Sequence, residues 1–381
     1  MMPSNTNWFY IMCQPCNRAY KFQIMTEIAD STICSVENGV GWITLNRPKA
    51  LNALSLEMLR KMTSILKSWD TVDSGVKVIV VKGAGERAFC SGGDIKSIAK
   101  AKGEQLQKDF IREEYQLDHL ISTLQVPYIT LLDGITMGGG AGISVNGRFR
   151  VGTERCMFAM PECGIGLIPD VGAGYFLSRL EGRLGLFLGL TGQRVSGWEC
   201  RRFGITTHAV KDDNIEKLEQ EIKDLAASER ECSMKEVEIL LDKWSESEAI
   251  TSSGFITENL DEINSLFAAE SLEDIFKNIK KSDTKFSEHC YKNLVKNSPT
   301  SMMLAYHQLK EGQTSQAAAH VVEHRVMTRR FQDQDFYEGV RAALIDKDQK
   351  PSWKPATIEE ISQDMVERYF SKLEDKEELV I

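Results

Sequence analysis

The sequence predicts an α/β protein whose C-terminal region is mostly helical. Two apolar runs, at residues 76–81 and 127–132, are typical of buried parallel strands, and each leads into a glycine-rich turn. Two further strand-like runs flank Asn38-Gly39, a strong hairpin signal. Later stretches are helical in pattern, without strand signals: 215–245, 257–280 and 299–346. Strands therefore dominate the first half and helices the second.

The first half also carries helix signals between its strands. Apolar residues recur at helical spacing from Leu54 to Leu66, with Ser55 placed to cap the helix. A second helix is expected over residues 104–124. At 381 residues the chain can bury a large core. We divide it into a flexible leader (1–32), a core that holds the site (33–215) and a helical region (216–381).

Two glycine-rich turns stand at the ends of predicted strands, at residues 88–94 and 137–142. Glycine lets a ligand approach backbone N–H groups with no side chain in the way. Two converging N–H donors suit an oxyanion hole, which stabilises negative charge on a carbonyl oxygen. A helix opening at Gly139 and running through Val145 would add its dipole. The alternative is that both segments are simple tight turns.

Two carboxylates, Glu162 and Asp170, stand eight residues apart in an apolar, glycine-rich stretch. Near a reacting carbonyl, one can act as base, acid or nucleophile, while the other positions it or a water and raises its proton affinity. The alternative makes Glu162 a helix-start residue after Pro161 and Asp170 a cap after Pro169. The upstream glycine turns favour the catalytic interpretation.

Several segments together resemble the crotonase (enoyl-CoA hydratase/isomerase) superfamily, and the resemblance runs from about residue 33 to about 360. The segments that carry it are 46–54, 89–96, 112–115, 134–140, 160–174 and 336–349. The resemblance implies a crotonase-type ββα spiral core followed by the helical region. It also implies that the backbone N–H groups of Gly93 and Gly139 hold the carbonyl oxygen of a CoA thioester.

Within that superfamily the chain is most similar to hydrolases of short, branched hydroxyacyl-CoA thioesters, which act in valine catabolism. Hydratases similar to this chain carry a second glutamate where it has Gly142, and a glycine where it has Asp170. The resemblance implies catalysis by Glu162 and Asp170, and binding of the acyl group by Glu114, Gly139 and the same two acids. An enoyl-CoA hydratase/isomerase, or a catalytically silent crotonase-fold binding protein, remain as alternatives.

A CoA-binding rim is expected between the hairpin and the first helix. Arg47 and Lys49 are natural partners for the phosphates of a CoA tail, although they can equally be solvated surface residues. The resemblance adds four neighbours to this rim: Ala50, Leu51, Asp94 and Ile95.

Composition and missing motifs exclude several other classes. The net charge of −9 argues against a nucleic-acid partner, and no apolar run approaches the roughly 20 residues of a membrane span. No nucleotide or dinucleotide motif is present, so no cofactor is expected. His320 and His324 lie four apart without a third ligand, so we expect them to face solvent and bind no metal. Cys90 is expected to be a small buried side chain rather than a nucleophile.

The N-terminal segment and the cysteines give information on the protein's location in the cell. The first 26 residues contain no Asp or Glu and carry Arg18 and Lys21, which is compatible with a mitochondrial transit peptide or with a disordered tail. Nine scattered cysteines are typical of a reducing compartment. Together with the resemblance, these features predict a mitochondrial protein. The helical half is expected to pack over the site and to support a homo-oligomer.

Overall fold

The computed structural model describes the backbone of residues 8–13 and 18–23 and the whole of 30–229 and 232–381. It divides into two compact units, Met1–Ser31 and Thr32–Ile381. In the first, β1 (Trp8–Cys13) pairs antiparallel with β2 (Arg18–Gln23). The rest of the predicted leader, residues 1–7, 14–17 and 24–29, lies outside the described residues. No helix in the described part is long and apolar enough to cross a membrane.

The second unit contains two sheets. Its strands are β3 (Thr32–Glu37), β4 (Val40–Leu45), β5 (Val78–Gly83), β6 (Ala88–Cys90), β7 (Tyr128–Leu132), β8 (Ile135–Met137), β9 (Phe149–Gly152), β10 (Met157–Ala159), β11 (Val195–Ser196) and β12 (His208–Ala209). One sheet has the order β12-β9-β7-β5-β4-β3 and is parallel except for the β3–β4 hairpin. The other has the order β11-β10-β8-β6, in which β6, β8 and β10 run parallel.

The helices of the N-terminal half fill the connections between these strands. They are α1 (Leu56–Trp69), α2 (Ile95–Lys100), α3 (Gln105–Thr123), α4 (Gly139–Val145), α5 (Ala173–Phe176), α6 (Leu184–Thr191) and α7 (Glu199–Arg202). The Ser55 side chain caps α1 by accepting a hydrogen bond from the Met58 N–H, as the sequence predicts.

Helices follow one another from residue 215 onwards. They are α8 (Ile215–Ala227), α9 (Met234–Trp244), α10 (Phe255–Glu258), α11 (Leu260–Leu266), α12 (Leu272–Ser282), α13 (Lys285–Leu294), α14 (Pro299–Glu311), α15 (Gln316–Arg330), α16 (Gln334–Val340) and α17 (Gln363–Phe370). The predicted α/β class with a helical C-terminal region is therefore confirmed. The domain boundary at 215/216 stays a prediction.

Strand side chains alternate between two apolar clusters because successive residues of a strand point to opposite faces. On β5, Val78 and Val80 pack in a cluster with residues of α8 and α9, whereas Ile79 and Val81 pack in the main cluster with residues of α1 and α3. Both faces of this sheet are thus covered, which explains why the parallel strands read as continuous apolar runs.

The expectation that His320 and His324 face solvent is wrong. Both side chains are buried, at 0% and 2% exposure. The α15 helix packs against α3, and the His320 ring stacks on Tyr115 with ring centroids 5.8 Å apart. Burial lowers the pKa of each imidazole to about 4, so both are neutral near pH 7. Tertiary packing, which a four-residue spacing cannot reveal, decided their environment.

Candidate active site

The site is built at one edge of the smaller sheet. Because β6, β8 and β10 are parallel neighbours, their carboxyl ends meet at that edge. The Gly92-Gly93 turn follows β6, Gly138-Gly139 follows β8, and Glu162 comes three residues after β10. Sheet topology thus brings both glycine turns and the first predicted acid together.

The two turns hold their backbones in conformations that require glycine. Gly92 has a φ of 106° and Gly138 a φ of 49°. A Cβ on Gly92 would lie 3.5 Å from the amide nitrogen of Gly139, and one on Gly139 would lie 3.4 Å from the amide nitrogen of Gly93. The amides of residues 93 and 139 are therefore close neighbours.

These two amides are available to a ligand. Gly139 is the first residue of α4, so its N–H has no acceptor within the helix. In the described part of the chain the Gly93 N–H makes no hydrogen bond, although its neighbours Gly92 and Asp94 both pair with the Leu54 backbone. An oxygen held between them would meet two preorganised donors.

Three buried carboxyl groups face the same cavity as the two amides. It is lined by Gly93, Glu114, Gly139, Glu162 and Asp170. Glu162 opens the 3₁₀ turn Glu162–Ile165, and its Oε2 has no hydrogen-bond partner among the described residues. The Glu114 Oε1, reaching in from α3, is likewise unpartnered. Buried acceptors without partners are unfavourable unless a ligand or water satisfies them.

The acids differ in their surroundings. The Asp170 Oδ2 accepts a hydrogen bond of 2.6 Å from the Tyr115 hydroxyl. Burial raises the pKa of Asp170 to about 7, and the Tyr115 bond opposes that rise. Burial, and then the charge of Asp170, hold the pKa of Glu162 and of Glu114 well above their usual range. Carboxyl groups whose pKa lies at or above neutrality can exchange protons near pH 7, which suits acid–base chemistry.

Apolar side chains form the remaining wall of the cavity. Among them are Ile98, Phe110, Ile111, Met327 and Phe331. Met327 and Phe331 come from α15 and its C-terminal end, so the helical region closes the site. Cys90 is buried as expected, and burial raises the pKa of its thiol to about 12, which makes a thiolate nucleophile unfavourable.

The six residues predicted to bind CoA lie next to the first glycine turn, and Ile95 among them lines the cavity. The loop from Arg47 to Leu51 is joined to the first glycine turn, because the Ser91 N–H donates to the Leu51 carbonyl at 3.0 Å. Arg47 forms a 2.8 Å ion pair with Asp94, which also caps α2 at Ile95. Lys49 and Ala50 are exposed. Their role in CoA binding stays a prediction.

Gly142 lies where no side chain fits. A Cβ at this position would stand 2.7 Å from the Asp118 Oδ2 and 2.7 Å from the Val171 Cβ. Asp118 is fully buried, and burial raises the pKa of its carboxyl well above the usual range. A glutamate at residue 142 would therefore displace both neighbours.

Sequence reasoning missed three polar residues around the site. Tyr115 and Asp118 lie within the helix predicted over residues 104–124, and no pattern there assigns either of them a role in the site. Tyr115 follows Glu114 in the run 112–115, which was the only local signal for it. Glu323 lies on α15, far along the chain from Asp170, and no local pattern marks it. Among the described residues, no group of His, Cys, Asp or Glu could hold a metal ion.

The parts of the chain that match known proteins include the whole site. Residues 40–370 match the family model described as enoyl-CoA hydratase/isomerase. A Danio rerio protein named "3-hydroxyisobutyryl-CoA hydrolase, mitochondrial" is 48% identical over 342 residues, which cover 88% of each chain. The Homo sapiens protein of that name is 43% identical over 353 residues, covering 91% of this chain and 90% of its own.

The same likeness appears among solved structures. A carnitinyl-CoA dehydratase from Mycobacterium thermoresistibile aligns with a TM-score of 0.83 at 31% identity, covering 92% of this chain and 98% of its own. This likeness confirms the predicted spiral core and its helical extension. The residues from Arg47 to Glu323 discussed above all lie inside the span that the family model matches.

Proposed function

Because this chain belongs to the enoyl-CoA hydratase/isomerase family, we infer that its cavity takes an acyl-CoA thioester and that the protein is a mitochondrial hydrolase of 3-hydroxyisobutyryl-CoA. The products are 3-hydroxyisobutyrate and CoA, a step of valine catabolism. The main support for the proposal is that one cavity is lined by three buried acids and by two backbone amides without hydrogen-bond acceptors in the described part of the chain. No metal or cofactor is required by this chemistry.

The amides of Gly93 and Gly139 would hold the thioester carbonyl oxygen. As a nucleophile adds to the carbonyl carbon, negative charge develops on that oxygen. Fixed N–H dipoles in a site shielded from water stabilise this charge without having to reorient. The Gly139 amide also stands at the positive end of α4.

Glu162 would supply the nucleophilic step by one of two routes. As a base it takes a proton from water, which attacks the carbonyl; the C–S bond then breaks and the CoA sulfur receives the proton. As a nucleophile its carboxylate displaces CoA and forms a mixed anhydride that water hydrolyses. Hydroxylamine added during turnover separates the routes, because only an anhydride leaves a hydroxamate on residue 162 for mass spectrometry to detect.

The other two acids would orient the reactants. Asp170 faces the cavity beside Glu162 and raises its proton affinity through like charge. Glu114 reaches the cavity from α3, where its unpartnered oxygen would be an acceptor for the substrate hydroxyl. This contact would favour hydroxylated acyl groups over plain ones.

The alternative activities fit the site less well. Alkene hydration by two glutamates needs an acid at residue 142, where Asp118 and Val171 fill the space. A silent binding protein would have no use for three buried carboxyls around two free amides, since burying them is costly. The geometry therefore favours hydrolysis.

A panel of acyl-CoA thioesters tests the proposal. The wild-type protein is expected to release free thiol fastest from 3-hydroxyisobutyryl-CoA, more slowly from isobutyryl-CoA, and to leave crotonyl-CoA unhydrated. Glu162→Gln serves as the inactive reference. Hydration of crotonyl-CoA without thiol release would establish the hydratase instead, and neither reaction would point to a binding protein.

A further inference from the structure

The residue after Asp170 has an unfavourable backbone conformation. Val171 has a φ of 55°, in the left-handed region that β-branched residues avoid. Its side chain is buried. Such a conformation persists only where the surroundings impose it, and it is found preferentially at functional sites. The contacts of the 169–174 loop should therefore reveal what imposes it.

Glu323 of α15 forms hydrogen bonds with the backbone of this loop. Its Oε2 accepts a 2.8 Å hydrogen bond from the Gly172 N–H, and its Oε1 accepts one of 2.8 Å from the Gly174 N–H. The Gln308 Nε2 donates to the same Oε1 at 3.0 Å. Both oxygens of this fully buried carboxyl are thus used on the loop that follows Asp170.

Two side-chain amides also form hydrogen bonds with the loop. The Gln308 Nε2 also donates to the Pro169 carbonyl at 3.0 Å, and the Asn146 Nδ2 donates to the Val171 carbonyl at 3.0 Å. The backbone is therefore tied on both sides of Asp170.

Glu323 does not line the substrate cavity, so it cannot act on the substrate directly. Burial raises the pKa of its carboxyl to about 8, while the two glycine N–H bonds oppose the rise. A buried carboxyl is costly to keep, and its described hydrogen bonds all go to the Asp170 loop and Gln308. Its function must be exerted through the loop.

We propose that Glu323 is a positioning residue for thioester hydrolysis, which holds Val171 in its left-handed conformation and thereby directs the Asp170 carboxyl into the cavity. This inference rests on the proposed function. It makes the helical C-terminal region part of the catalytic apparatus, beyond its contribution to the cavity wall. Loosening the loop should impair the chemical step more than substrate binding.

Glu323→Gln tests the proposal with little change in volume. The glutamine NH₂ cannot accept a hydrogen bond, so one glycine N–H loses its acceptor. We expect kcat to fall by about 10- to 100-fold, the loss typical of leaving a buried N–H without its acceptor, while KM changes less than about two-fold. Amide exchange at Gly172 or Gly174 should accelerate in the same variant.

Glu199→Gln is the matched control. Glu199 is also buried, and its Oε1 accepts a 2.7 Å hydrogen bond from a backbone N–H, that of Thr257, outside the catalytic cavity. The control should lose stability as Glu323→Gln does, but keep its kcat. Equal kcat in the two variants would show that Glu323 has only a structural role.

A second substitution distinguishes a positioning role of Glu323 from a general loss of structure. Glycine adopts a φ of 55° without steric cost, so Val171→Gly should restore kcat several-fold when added to Glu323→Gln. A folded double variant that recovers nothing would overturn the proposal, and so would an increase in KM at constant kcat. A wild-type protein that releases no thiol would instead refute the proposed function itself.

Discussion

Removal of the Tyr115 hydroxyl gives a direct test of the buried acid cluster. The hydroxyl donates a 2.6 Å hydrogen bond to the Asp170 carboxylate, and this bond favours the ionised form. In Tyr115→Phe that support is lost while the burial that raises the pKa stays. The pKa of Asp170 should therefore rise further.

The size of the shift follows from the strength of the bond. A hydrogen bond to a charged group contributes about 1.5–3 kcal/mol, and one pKa unit corresponds to about 1.4 kcal/mol. The Asp170 pKa, about 7 in the wild type, should move up by about one to two units in the variant. If ionised Asp170 supports catalysis, activity rises with pH through that pKa, and Tyr115→Phe loses about 5- to 50-fold near pH 7.

The assay is kcat/KM for 3-hydroxyisobutyryl-CoA across the pH range, followed through the ultraviolet absorbance of the thioester. The variant should regain most of its activity at alkaline pH. Tyr128→Phe is the control, since Tyr128 is equally buried but donates to the Ile143 carbonyl. A loss by the same factor at every pH would refute the argument that Tyr115 acts through the ionisation of Asp170.

Three further predictions concern the groups around the thioester. Glu162→Gln should lower kcat by about 10²–10⁴ without abolishing CoA binding, so full thioesterase activity would contradict its role. Gly139→Ala places a Cβ against the Glu114 Oε1 and 3.4 Å from the Gly93 amide nitrogen, and kcat should fall by about 10²–10³. Glu114→Ala should raise KM for 3-hydroxyisobutyryl-CoA by about ten-fold but leave that for isobutyryl-CoA nearly unchanged; equal KM values in wild type and variant would count against hydroxyl binding.

Local signals predicted the elements that frame the site. The Asn38-Gly39 turn joins β3 to β4, and Ser55 caps α1, because such signals act within a few residues. The predicted helix opening at Gly139 and running through Val145 is confirmed as α4. The resemblance to a known superfamily then selected particular glycines and acids, and the structure places them at one cavity.

Long-range packing set the surroundings of several residues that the sequence pattern does not predict. His320 looked solvent-exposed from its spacing, yet α15 buries it against Tyr115. Asp118 and Gly142 share one small space although they belong to different helices. In each case the partner lies on another element, and no repeat or motif records which elements will meet.

Periodicity, capping and turn chemistry are local, so the sequence predicted the β3–β4 hairpin, the strands β5 and β7, the helices α1, α3 and α4, and the two glycine turns. It also singled out Glu162 and Asp170. Which groups surround those acids depends on how distant elements pack. The parallel arrangement of β6, β8 and β10 brought their loops to one edge, and the packing of α3 and α15 set Tyr115 and Glu323 around Asp170. The physical reason is that burial, and with it each pKa, depends on neighbours distant along the chain.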